Sequence, residues 1–366
     1  MSTGLMNTDP RFHACIIAGG SGERFWPKSR ADTPKHLLRL FSERTLLEET
    51  VLRLKGVVAD SNVWILTNRA QVPLIRKAMP NFPKGQIIAE PERRDTAPAA
   101  ALATGLVRAR NPDGVVALLP ADALIGNAGR FAEQLGQAFR WAGDEEKGGM
   151  GRNLLTFAVK PTHPATGYGY LELSGELARG SEGSRLVRVK RFVEKPDDKT
   201  ARRYLAGGRH AWNAGMFVWG VGRFLAELDR SSPELAAFVR DFPKGNPAAY
   251  LAKRFSSLPR ISVDYAVLEK ASAVATVIAD FTWDDAGAWT ALHKHFEADG
   301  DGNVSRGSVF SVGSRNTIAV SNGRVIALCG VKDLVVVETQ DSVLVCHRDS
   351  VQEVKKLISL LPKHIQ

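Results

Sequence analysis

Residues 12–35 read FHACIIAGGSGERFWPKSRADTPK, and the predicted fold class rests mainly on this stretch. Its first part, Phe12 to Ala18, is an apolar run that ends in glycines, which predicts a buried strand entering a loop. Glycine lets backbone N–H groups approach phosphate oxygens closely, and a turn of successive N–H groups forms an anion-binding nest. We therefore expect a phosphate-binding loop directly after the first strand.

Strands and helices alternate in the sequence that follows. Leu and Val at helical spacing over 44–58 precede a strand at 63–67, and an alanine-rich helix at 97–110 precedes a strand at 115–119. Such alternation predicts an α/β fold with a Rossmann-like mixed, mostly parallel sheet and helices on both faces. Ligands gather at the carboxyl ends of the strands in these sheets, where the glycine loop and Asp122 fall.

The remainder of the sequence is richer in β-structure. An exposed turn is predicted at 176–184, and strands are predicted at 154–160, 168–173 and 187–193. From Val304 onward, short β-rich runs recur between turns until a final helix near 350–361. This pattern of short strands and turns indicates a small C-terminal β domain, for which a short left-handed β-helix is one candidate form. We expect a large domain over residues 1–295 and a small one over residues 296–366.

The composition excludes several classes of protein. The 366 residues are 44% hydrophobic and 24% charged, as in ordinary globular proteins, and no apolar run is long enough to span a bilayer. Residues 1–10 lack the pattern of a signal peptide, and the three cysteines show no CxxC spacing. We therefore expect a cytoplasmic protein with no membrane partner, no disulfide framework and no zinc site.

The formal net charge of +10 is compatible with nucleic acid, an anionic membrane or polyanionic small substrates. Lys and Arg are spread along the chain without a long basic block or an RNA-binding aromatic motif, so no nucleic-acid partner is expected. Most of these residues fit a solvated surface. In the glycine-rich stretch, however, Arg24 suits a bidentate phosphate contact and Lys35 suits a point charge on phosphate.

The glycine loop differs from two common nucleotide-binding motifs. It contains no GxxxxGK[ST], so it is not a Walker A loop. Phe25 stands where the dinucleotide fingerprint GxGxxG needs its last glycine, and Thr67-Asn68-Arg69 follows the second strand in place of an acidic residue. A nicotinamide-dependent dehydrogenase is therefore disfavoured.

The string Ala18 to Pro27 with Pro34-Lys35 resembles the signature of the sugar-1-phosphate nucleotidyltransferases. Trp26 before Pro27, and the spacing to Arg30, favour the mannose-1-phosphate guanylyltransferase branch of that family. Further motifs support this branch in order along the chain: Glu90-Pro91, Thr96-Ala97-Pro98-Ala99, Pro120-Ala121-Asp122, residues 166–170, Phe192 to Pro196, Trp212 to Phe217, Ser262 to Ala266 and Trp283 to Trp289. The resemblance therefore spans nearly the whole chain and implies the nucleotide-diphospho-sugar transferase fold, with residues 1–295 as the catalytic domain.

The resemblance also implies a role for particular residues. It assigns the nucleotide and its phosphates to Ala18, Gly19, Gly20, Gly22, Arg24 and Lys35. It assigns the neighbourhood of the base to Glu90, Thr96, Ala97 and Pro98. It assigns the sugar hydroxyls to Gly169, Glu194 and Asn213, and the sugar phosphate to Lys195. It assigns a Mg²⁺ cofactor to Asp122 and Asp285, and Asp284 stays open as the alternative to Asp285.

The implied reaction joins GTP to α-D-mannose 1-phosphate, giving GDP-mannose and pyrophosphate by in-line attack without a covalent intermediate. The resemblance further implies a homodimer. It also implies that the protein is a short form of the family, for which no isomerase domain is expected. Two alternatives stay open. One is the same chemistry on glucose 1-phosphate with ATP, UTP or dTTP, and the other is a non-catalytic sugar-nucleotide-binding regulatory subunit.

Two positions depart from the family pattern. Ala123 stands where the family commonly has His after the metal-binding Asp, and Asp95 stands where it commonly has Asn before Thr-Ala-Pro. The first change removes a possible hydrogen-bond donor near Asp122, and the second puts a carboxylate near the expected nucleotide pocket. Neither change removes a predicted metal ligand, so both bear on substrate and rate more than on reaction class.

Overall fold

A computed structural model of the chain describes residues 8–20, 22–144 and 149–366. Ser21 of the glycine-rich stretch and most of the amino-terminal segment that lacks a signal-peptide pattern lie outside the described residues. The described chain forms two compact units. The larger unit comprises residues in 8–19, 50–121 and 125–283, and the smaller unit comprises residues in 20–49, 122–124 and 284–366.

Seventeen β-strands occur in the described residues. They are β1 (Phe12–Ile17), β2 (Val63–Asn68), β3 (Ile87–Glu90), β4 (Val115–Pro120), β5 (Leu124–Ile125), β6 (Leu154–Val159), β7 (Tyr170–Arg179), β8 (Arg185–Val193), β9 (His210–Gly220), β10 (Val274–Ile278), β11 (Trp283–Asp284), β12 (Val304–Arg306), β13 (Val309–Val312), β14 (Ile318–Val320), β15 (Ile326–Cys329), β16 (Leu334–Glu338) and β17 (Val343–His347).

Ten α-helices accompany these strands in the described part of the chain. They are α1 (Leu46–Leu52), α2 (Val72–Ala78), α3 (Thr96–Arg110), α4 (Ala128–Ala142), α5 (Asp198–Gly207), α6 (Val221–Ser231), α7 (Pro233–Arg240), α8 (Ala248–Arg254), α9 (Leu292–His295) and α10 (Val354–Ile358). None of the described helices is long and apolar enough to cross a membrane.

The larger unit is built on one nine-stranded sheet with the order β3-β2-β1-β4-β9-β6-β10-β8-β7. The neighbours β3-β2, β2-β1, β1-β4 and β6-β10 are parallel, whereas β8 and β9 run against the other seven strands. The predicted mixed, mostly parallel sheet is therefore confirmed. Its β1, β2 and β4 strands are buried along nearly their whole length, as expected of parallel strands covered on both faces.

Helices cover both faces of this sheet. Phe12 of β1 stacks on Phe139 of α4, with ring centroids 4.6 Å apart. Cys15, three residues farther along β1, belongs instead to a buried cluster with Ala100 and Ala103 of α3. Because successive side chains of a strand point to opposite faces, α3 and α4 lie on opposite sides of the sheet. The alanine-rich sequence of α3 fits this position, since small side chains let a helix pack closely on strands.

Two predictions from local sequence differ from the structure. Residues 176–179, predicted as part of an exposed turn, belong to β7, and the connection to β8 is only Gly180 to Ser184. Their polar composition suggests a turn, but pairing with β8 holds them extended, since Glu176 lies opposite Val187 and bonds to Arg185. The apolar residues Met216, Phe217 and Trp219 are buried in β9, an eleven-residue strand. The predicted final helix is shorter, spanning Val354–Ile358 after a 3₁₀ segment.

The smaller unit contains the predicted small β-rich region. Successive strands pair in parallel, with Val304 beside Ile318, Ile318 beside Val335, and Val309 beside Ile326. Parallel pairing between strands of successive coils is the pattern of a β-helix, which confirms the predicted C-terminal β architecture. β17 closes the series in the antiparallel direction. A domain boundary at residues 295/296 stays a prediction.

Aromatic residues of the sequence motifs form the core of this smaller unit. Phe25, Trp26 and Trp289 are buried together with Val304, Ile318 and other strand residues. The indole of Trp289 donates a hydrogen bond to the carbonyl of Trp26 at 2.9 Å, and its ring lies edge-on to Phe25 at 5.2 Å. The loop around Gly22 is therefore anchored on a rigid apolar base.

Candidate active site

The predicted phosphate and metal residues of the smaller unit are Gly20, Gly22, Arg24, Lys35, Asp122 and Asp285, and we call them the phosphate cluster. Gly22 has a φ of 69°, and a Cβ on it would lie 2.1 Å from the Cβ of Lys35. Only glycine fits such a close approach at positive φ. By contrast, a Cβ on Gly19 or Gly20 would meet no atom of the described chain within 4 Å. Packing within the described chain thus requires glycine at 22 but not at 19 or 20.

Lys35 is the centre of the phosphate cluster, and its side chain is only 7% exposed. Its Nζ donates to Oδ2 of Asp122 at 2.9 Å and to the backbone carbonyl of Asp285 at 2.7 Å. A buried ammonium with two oxygen acceptors is held in one position, which gives the cluster a fixed positive charge. Burial lowers the pKa of the neighbouring His36 to about 4, so this imidazole adds no charge at neutral pH.

Arg24 differs from Lys35 in exposure. Its side chain is exposed and, within the residues that the structure describes, makes no hydrogen bond or ion pair. Arg24 lies in the short 3₁₀ turn Glu23–Phe25 that begins directly after Gly22. Its guanidinium is therefore exposed to solvent, and a phosphate contact of Arg24 stays a prediction.

Asp284 and Asp285 occupy different environments. Oδ1 of Asp284 accepts from the backbone N–H of Ala286 at 2.7 Å, and Oδ2 accepts from Lys294 at 3.1 Å with His295 nearby. Burial alone would raise the pKa of Asp284, but these three partners together hold it at about 2. Both of its oxygens are thus engaged within the protein. A Cβ on Gly287 would lie 2.9 Å from Oδ2 of Asp285, so glycine leaves space for that carboxylate.

The donor chemistry around Lys35 suits a hard divalent cation. Asp122 has a carboxylate that is 38% exposed, and Asp285 supplies a second carboxylate in the same unit. Mg²⁺ is usually held by one or two carboxylates together with substrate phosphates and water. No group of three or more His, Cys, Asp or Glu side chains with metal-binding geometry occurs in the described ranges. Two aspartates would suit Mg²⁺ if substrate phosphates and water completed its coordination.

The predicted nucleotide residues of the larger unit are Ala18, Gly19, Glu90, Thr96, Ala97 and Pro98. The carbonyl of Ala18 accepts from the hydroxyl of Thr67 at 2.7 Å, and the carbonyl of Gly19 accepts from Arg93 at 2.7 Å. The hydroxyl of Thr96 accepts from the backbone N–H of Val263, and the N–H of Ala97 donates to Ile261. The first turn of α3 is thereby tied to the segment that leads into Asp264.

Glu90, at the end of β3, is a buried carboxylate with an unpartnered oxygen. Its Oε1 has no hydrogen-bond partner within the part of the chain that the structure describes. Burial raises the pKa of Glu90 to about 8, although Arg93 opposes this shift. A buried polar atom without a partner is unfavourable, so this position favours a ligand that supplies a donor.

Asp95 has a structural explanation in this region. It is the residue before α3, it has a φ of 67°, and its Oδ1 accepts from the backbone N–H of Thr96 at 2.8 Å. The carboxylate therefore caps the helix, where an acidic group is favourable, and Asn would be equally able to do so. Ala123 is buried, and nothing in the structure explains why it replaces His.

The predicted sugar residues lie together in the larger unit, and with Asp264 we call them the sugar cluster: Gly169, Glu194, Lys195, Asn213 and Asp264. A Cβ on Gly169 would lie 2.6 Å from Oε2 of Glu194 and 3.5 Å from the Cβ of Asn213. The backbone N–H of Asn213 donates to the carbonyl of Gly169 at 2.8 Å. Nζ of Lys195 bonds to Oε1 of Glu194 at 2.6 Å.

Asp264 is a member of this cluster that sequence reasoning missed. The amide of Asn213 donates to Oδ1 of Asp264 at 3.3 Å. Burial and the neighbouring charge of Glu194 raise the pKa of Asp264 to about 7. Burial lowers the pKa of Lys195, but its hydrogen bond to Glu194 and the charge of Asp264 leave that pKa raised overall. Asp264 stands in one of the quoted motifs, but its contact with Asn213 depends on pairing between distant segments.

Two known families match the chain. The nucleotidyl transferase family matches residues 13–302. A second family, described as the MannoseP isomerase/GMP-like beta-helix domain, matches residues 307–361. The first match covers most of the chain, and the second covers the coils of the smaller unit.

Individual relatives are similar over nearly the whole chain. The xanthan biosynthesis protein XanB of Xanthomonas campestris pv. campestris (strain B100) is 37% identical over 350 residues, covering 94% of this chain and 72% of the relative. Mannose-1-phosphate guanylyltransferase of Escherichia coli (strain K12) is 35% identical over 357 residues, covering 95% and 73%. The crystal structure of mannose-1-phosphate geranyltransferase from Thermus thermophilus is 32% identical with a TM-score of 0.84, covering 96% of this chain and 99% of that one.

Proposed function

The chain belongs to the nucleotidyl transferase family, and from this premise we propose that it transfers a guanylyl group from GTP to α-D-mannose 1-phosphate, giving GDP-mannose and pyrophosphate. The observation that carries the proposal is the phosphate cluster, in which Lys35 holds Asp122 and the main chain of Asp285. Similarity to the mannose-1-phosphate guanylyltransferase of Escherichia coli supports this substrate pair over glucose 1-phosphate with ATP, UTP or dTTP.

The chemistry of the acceptor explains why no protein nucleophile is needed. The second pKa of a phosphate monoester is near ~6, so the sugar phosphate is already an oxyanion at neutral pH. Its attack on the α-phosphate of GTP is opposed by the repulsion between two polyanions. The protein must therefore neutralise charge and align the groups in line. Arg24 and Lys35 act on the triphosphate in this scheme, and Lys195 acts on the sugar phosphate.

Mg²⁺ would be held by Asp122 and Asp285, and when bound it would supply further positive charge to the phosphates. We keep Asp285 ahead of Asp284 from the family resemblance, and Gly287 leaves space beside the carboxylate of Asp285. The absence of a packing requirement for glycine at 19 and 20 supports a role in which bare backbone approaches the nucleotide.

Glu90 supports guanine as the base. With a pKa of about 8, Glu90 is mostly protonated at neutral pH, and its carboxyl group still offers an acceptor oxygen; guanine has an exocyclic N2 amino donor that adenine lacks. The unpartnered Oε1 of Glu90 would gain a donor from this amino group. If this role is right, Glu90→Gln reduces the preference for GTP over ITP, which lacks the amino group, and equal preference in both proteins would remove Glu90 from the base site.

The sugar cluster suits a hydroxylated substrate. Glu194 and Asp264 accept hydrogen bonds, Asn213 both donates and accepts, and the carbonyl of Gly169 has a second lone pair beyond its bond to Asn213. We assign the sugar hydroxyls to Glu194, Asn213 and Gly169. Lys195 has a φ of 47°, and its side chain is 59% exposed, so its ammonium can reach a phosphate.

The proposal includes a homodimer formed through the smaller unit. Phe310 and Val312 of β13 are 65% and 72% exposed, and Val343 and Val345 of β17 are also exposed. β13 and β17 belong to different sheets of the smaller unit, and exposed large apolar side chains of this kind are typical of interaction surfaces. Light scattering of the parent and of Phe310→Ser would test it: a monomeric parent overturns the dimer, and a dimeric Phe310→Ser places the interface elsewhere.

One assay tests the main proposal. Pyrophosphate release is measured for GTP, ATP, UTP and dTTP crossed with mannose, glucose and fucose 1-phosphates, with and without Mg²⁺. We expect the fastest release from GTP with mannose 1-phosphate in the presence of Mg²⁺. Release from no pair would overturn the enzyme assignment, whereas preference for another pair would overturn only the substrate assignment.

A further inference from the structure

A small cavity in the smaller unit is lined by three cationic side chains and by no acidic one. The cavity has a volume of about 150 Å³, and its cationic residues are Lys28, Arg39 and Arg306. The other lining residues are apolar or small. Like charges repel, so three cations around one cavity are unfavourable unless an anion lies among them.

None of the three side chains has an anionic partner. Across residues 8–20, 22–144 and 149–366, the side chains of Lys28, Arg39 and Arg306 form no hydrogen bond and no ion pair within 4 Å. The guanidinium of Arg306 lies over the ring of Phe296 at 4.4 Å, which fixes its position without neutralising its charge. This contrasts with Lys35, whose ammonium donates to the carboxylate of Asp122 and to the backbone carbonyl of Asp285.

Lys28 is half-buried, and its pKa reflects both this burial and the charges around it. Burial lowers the pKa of Lys28, Glu338 raises it and Arg306 lowers it, and the pKa is lowered overall. Glu338 lies near enough for its charge to raise the pKa of Lys28, but in the described part of the chain it forms no ion pair with Lys28 within 4 Å, and its Oε2 accepts from the backbone N–H groups of Asn322 and Arg324. The ammonium of Lys28 therefore has no anion in direct contact among the described residues.

A larger cleft of about 760 Å³ shares Lys28, Arg39 and Leu40 with the small cavity. Asp32 and Asp341 line this cleft, and Asp341 is paired with Arg30 at 2.7 Å. Lys363 adds a further cation to its wall. The small cavity has room for a single anionic group, and the adjoining cleft has room for a small organic molecule that carries it.

We propose that Lys28, Arg39 and Arg306 bind the phosphate group of a small phosphorylated molecule whose remainder lies in the adjoining cleft. Arginine and lysine together are the usual ligands of phosphate in proteins, one through paired donors and the other as a point charge. The site is distinct from the phosphate cluster, since Lys35, Asp122 and Asp285 line neither cavity. It goes beyond the proposed reaction and gives the smaller unit a binding function of its own.

The position of the site in the sequence gives it a regulatory role. Lys28 and Arg39 lie on either side of Lys35 in one segment that begins at Gly22. A ligand that contacts both residues restricts this segment, and so favours one position of Lys35 over others. Occupancy of the cavity is therefore expected to change the apparent KM for the nucleoside triphosphate.

Calorimetric titration of the full chain with inorganic phosphate tests the site. Four proteins are compared: the parent, Lys28→Gln/Arg306→Gln, Lys35→Gln, and Lys332→Gln as an exposed control that also removes one positive charge. We expect the double variant to lose one class of binding, weakened at least about tenfold, while Lys332→Gln binds like the parent. Lys35→Gln should keep this class of binding.

Two results would overturn the proposal. One is a double variant that binds phosphate as the parent does, and the other is loss of all phosphate binding in Lys35→Gln. Pyrophosphate release by the double variant in the absence of added phosphate is expected at the parent rate, which shows that it is folded. Glycerol phosphate and GMP then replace inorganic phosphate as probes: tighter binding that the double variant loses supports the role of the cleft, and no gain over inorganic phosphate contradicts it.

Discussion

The phosphate cluster and the sugar cluster differ in the balance between their acidic and basic side chains. In the phosphate cluster a buried lysine meets one carboxylate and one carbonyl, and Lys35 is held by Asp122 and Asp285. In the sugar cluster two carboxylates, Glu194 and Asp264, lie near one lysine, Lys195. The first cluster is balanced at neutral pH, and the second has an excess of acid.

This difference fits the two kinds of ligand. A triphosphate brings several negative charges, so the phosphate cluster needs fixed cations and carboxylates that are ionised for a metal. A sugar brings neutral hydroxyls, so the sugar cluster needs acceptors at defined positions, and one carboxylate with a raised pKa is tolerated there. The comparison predicts that changes in the phosphate cluster affect the rate most, whereas changes in the sugar cluster affect sugar binding and pH dependence.

The largest effect is expected from Asp285→Asn. Loss of one carboxylate weakens metal and triphosphate positioning, so kcat should fall about 10²–10³-fold with little change in thermal unfolding. The control is Asp284→Asn, which removes an acceptor for Ala286 and Lys294 and should mainly lower the melting temperature. Steady-state pyrophosphate release and a melting curve decide between them. If Asp284→Asn alone abolishes turnover, the metal assignment belongs to Asp284.

Gly22→Ala should damage the phosphate cluster through the backbone. The added Cβ would lie 2.1 Å from the Cβ of Lys35 at a residue with positive φ, so the loop and Lys35 must shift. We expect the free energy of unfolding to fall by about 1–3 kcal/mol, and kcat/KM to fall with it.

Gly20→Ala is the matched control, because a Cβ there meets no atom of the described chain within 4 Å. Denaturant unfolding should show Gly20→Ala within about 0.5 kcal/mol of the parent. Its KM for GTP should nevertheless rise if the backbone at Gly20 approaches the nucleotide. Equal destabilisation of the two variants would contradict the close approach of Gly22 to Lys35.

Much of the fold and part of the site could be predicted from the sequence. The strand that ends at Gly19, the alanine-rich helix and the β-rich C-terminal region follow from local patterns of apolar residues and glycine. The grouping of Glu194 and Asn213 came from the resemblance, and the structure shows both beside Gly169. What local patterns cannot show is pairing between distant segments. Asp264 lies 51 positions from Asn213, so only the folded chain brings their side chains together.

The need for pairing between distant segments also explains why the sequence predicts a turn at residues 176–179 of β7. β7 extends through polar residues because β8 pairs with them, and no property of residues 176–179 alone indicates a strand. Likewise, the cationic cavity combines Lys28 and Arg39 with Arg306, which is more than 260 positions away in the sequence. Each of these features depends on tertiary contacts that override local propensity.

Gly169→Ala should act on the sugar cluster selectively. Its Cβ would lie 2.6 Å from Oε2 of Glu194, so the carboxylate must move away from the position assigned to a sugar hydroxyl. We expect the KM for mannose 1-phosphate to rise about tenfold while the KM for GTP changes less than twofold. Gly167→Ala, with no atom within 4 Å of its Cβ, is the control. A parallel rise in both KM values would contradict the separation of the two clusters.

The last expected effect, on stability and not on activity, is a pH dependence that comes from Asp264. Its pKa in the folded protein is about 7, above the ordinary value of 3.8, so the folded state binds a proton that the unfolded state releases between these values. The free energy of unfolding therefore decreases as the pH rises toward 7, with a slope of up to about 1.4 kcal/mol per pH unit. Asp264→Asn removes this component, because an amide does not titrate.

Urea unfolding at pH 5, 6, 7 and 8 measures this component as the difference between the parent and Asp264→Asn. Glu90, whose pKa of about 8 acts in the same direction, is present in both proteins and cancels in the comparison. The variant should gain stability relative to the parent as the pH rises to 7 and should level off above it. A difference that stays constant across the four pH values would show that Asp264 is ionised throughout, and would contradict a raised pKa for this carboxyl group of the sugar cluster.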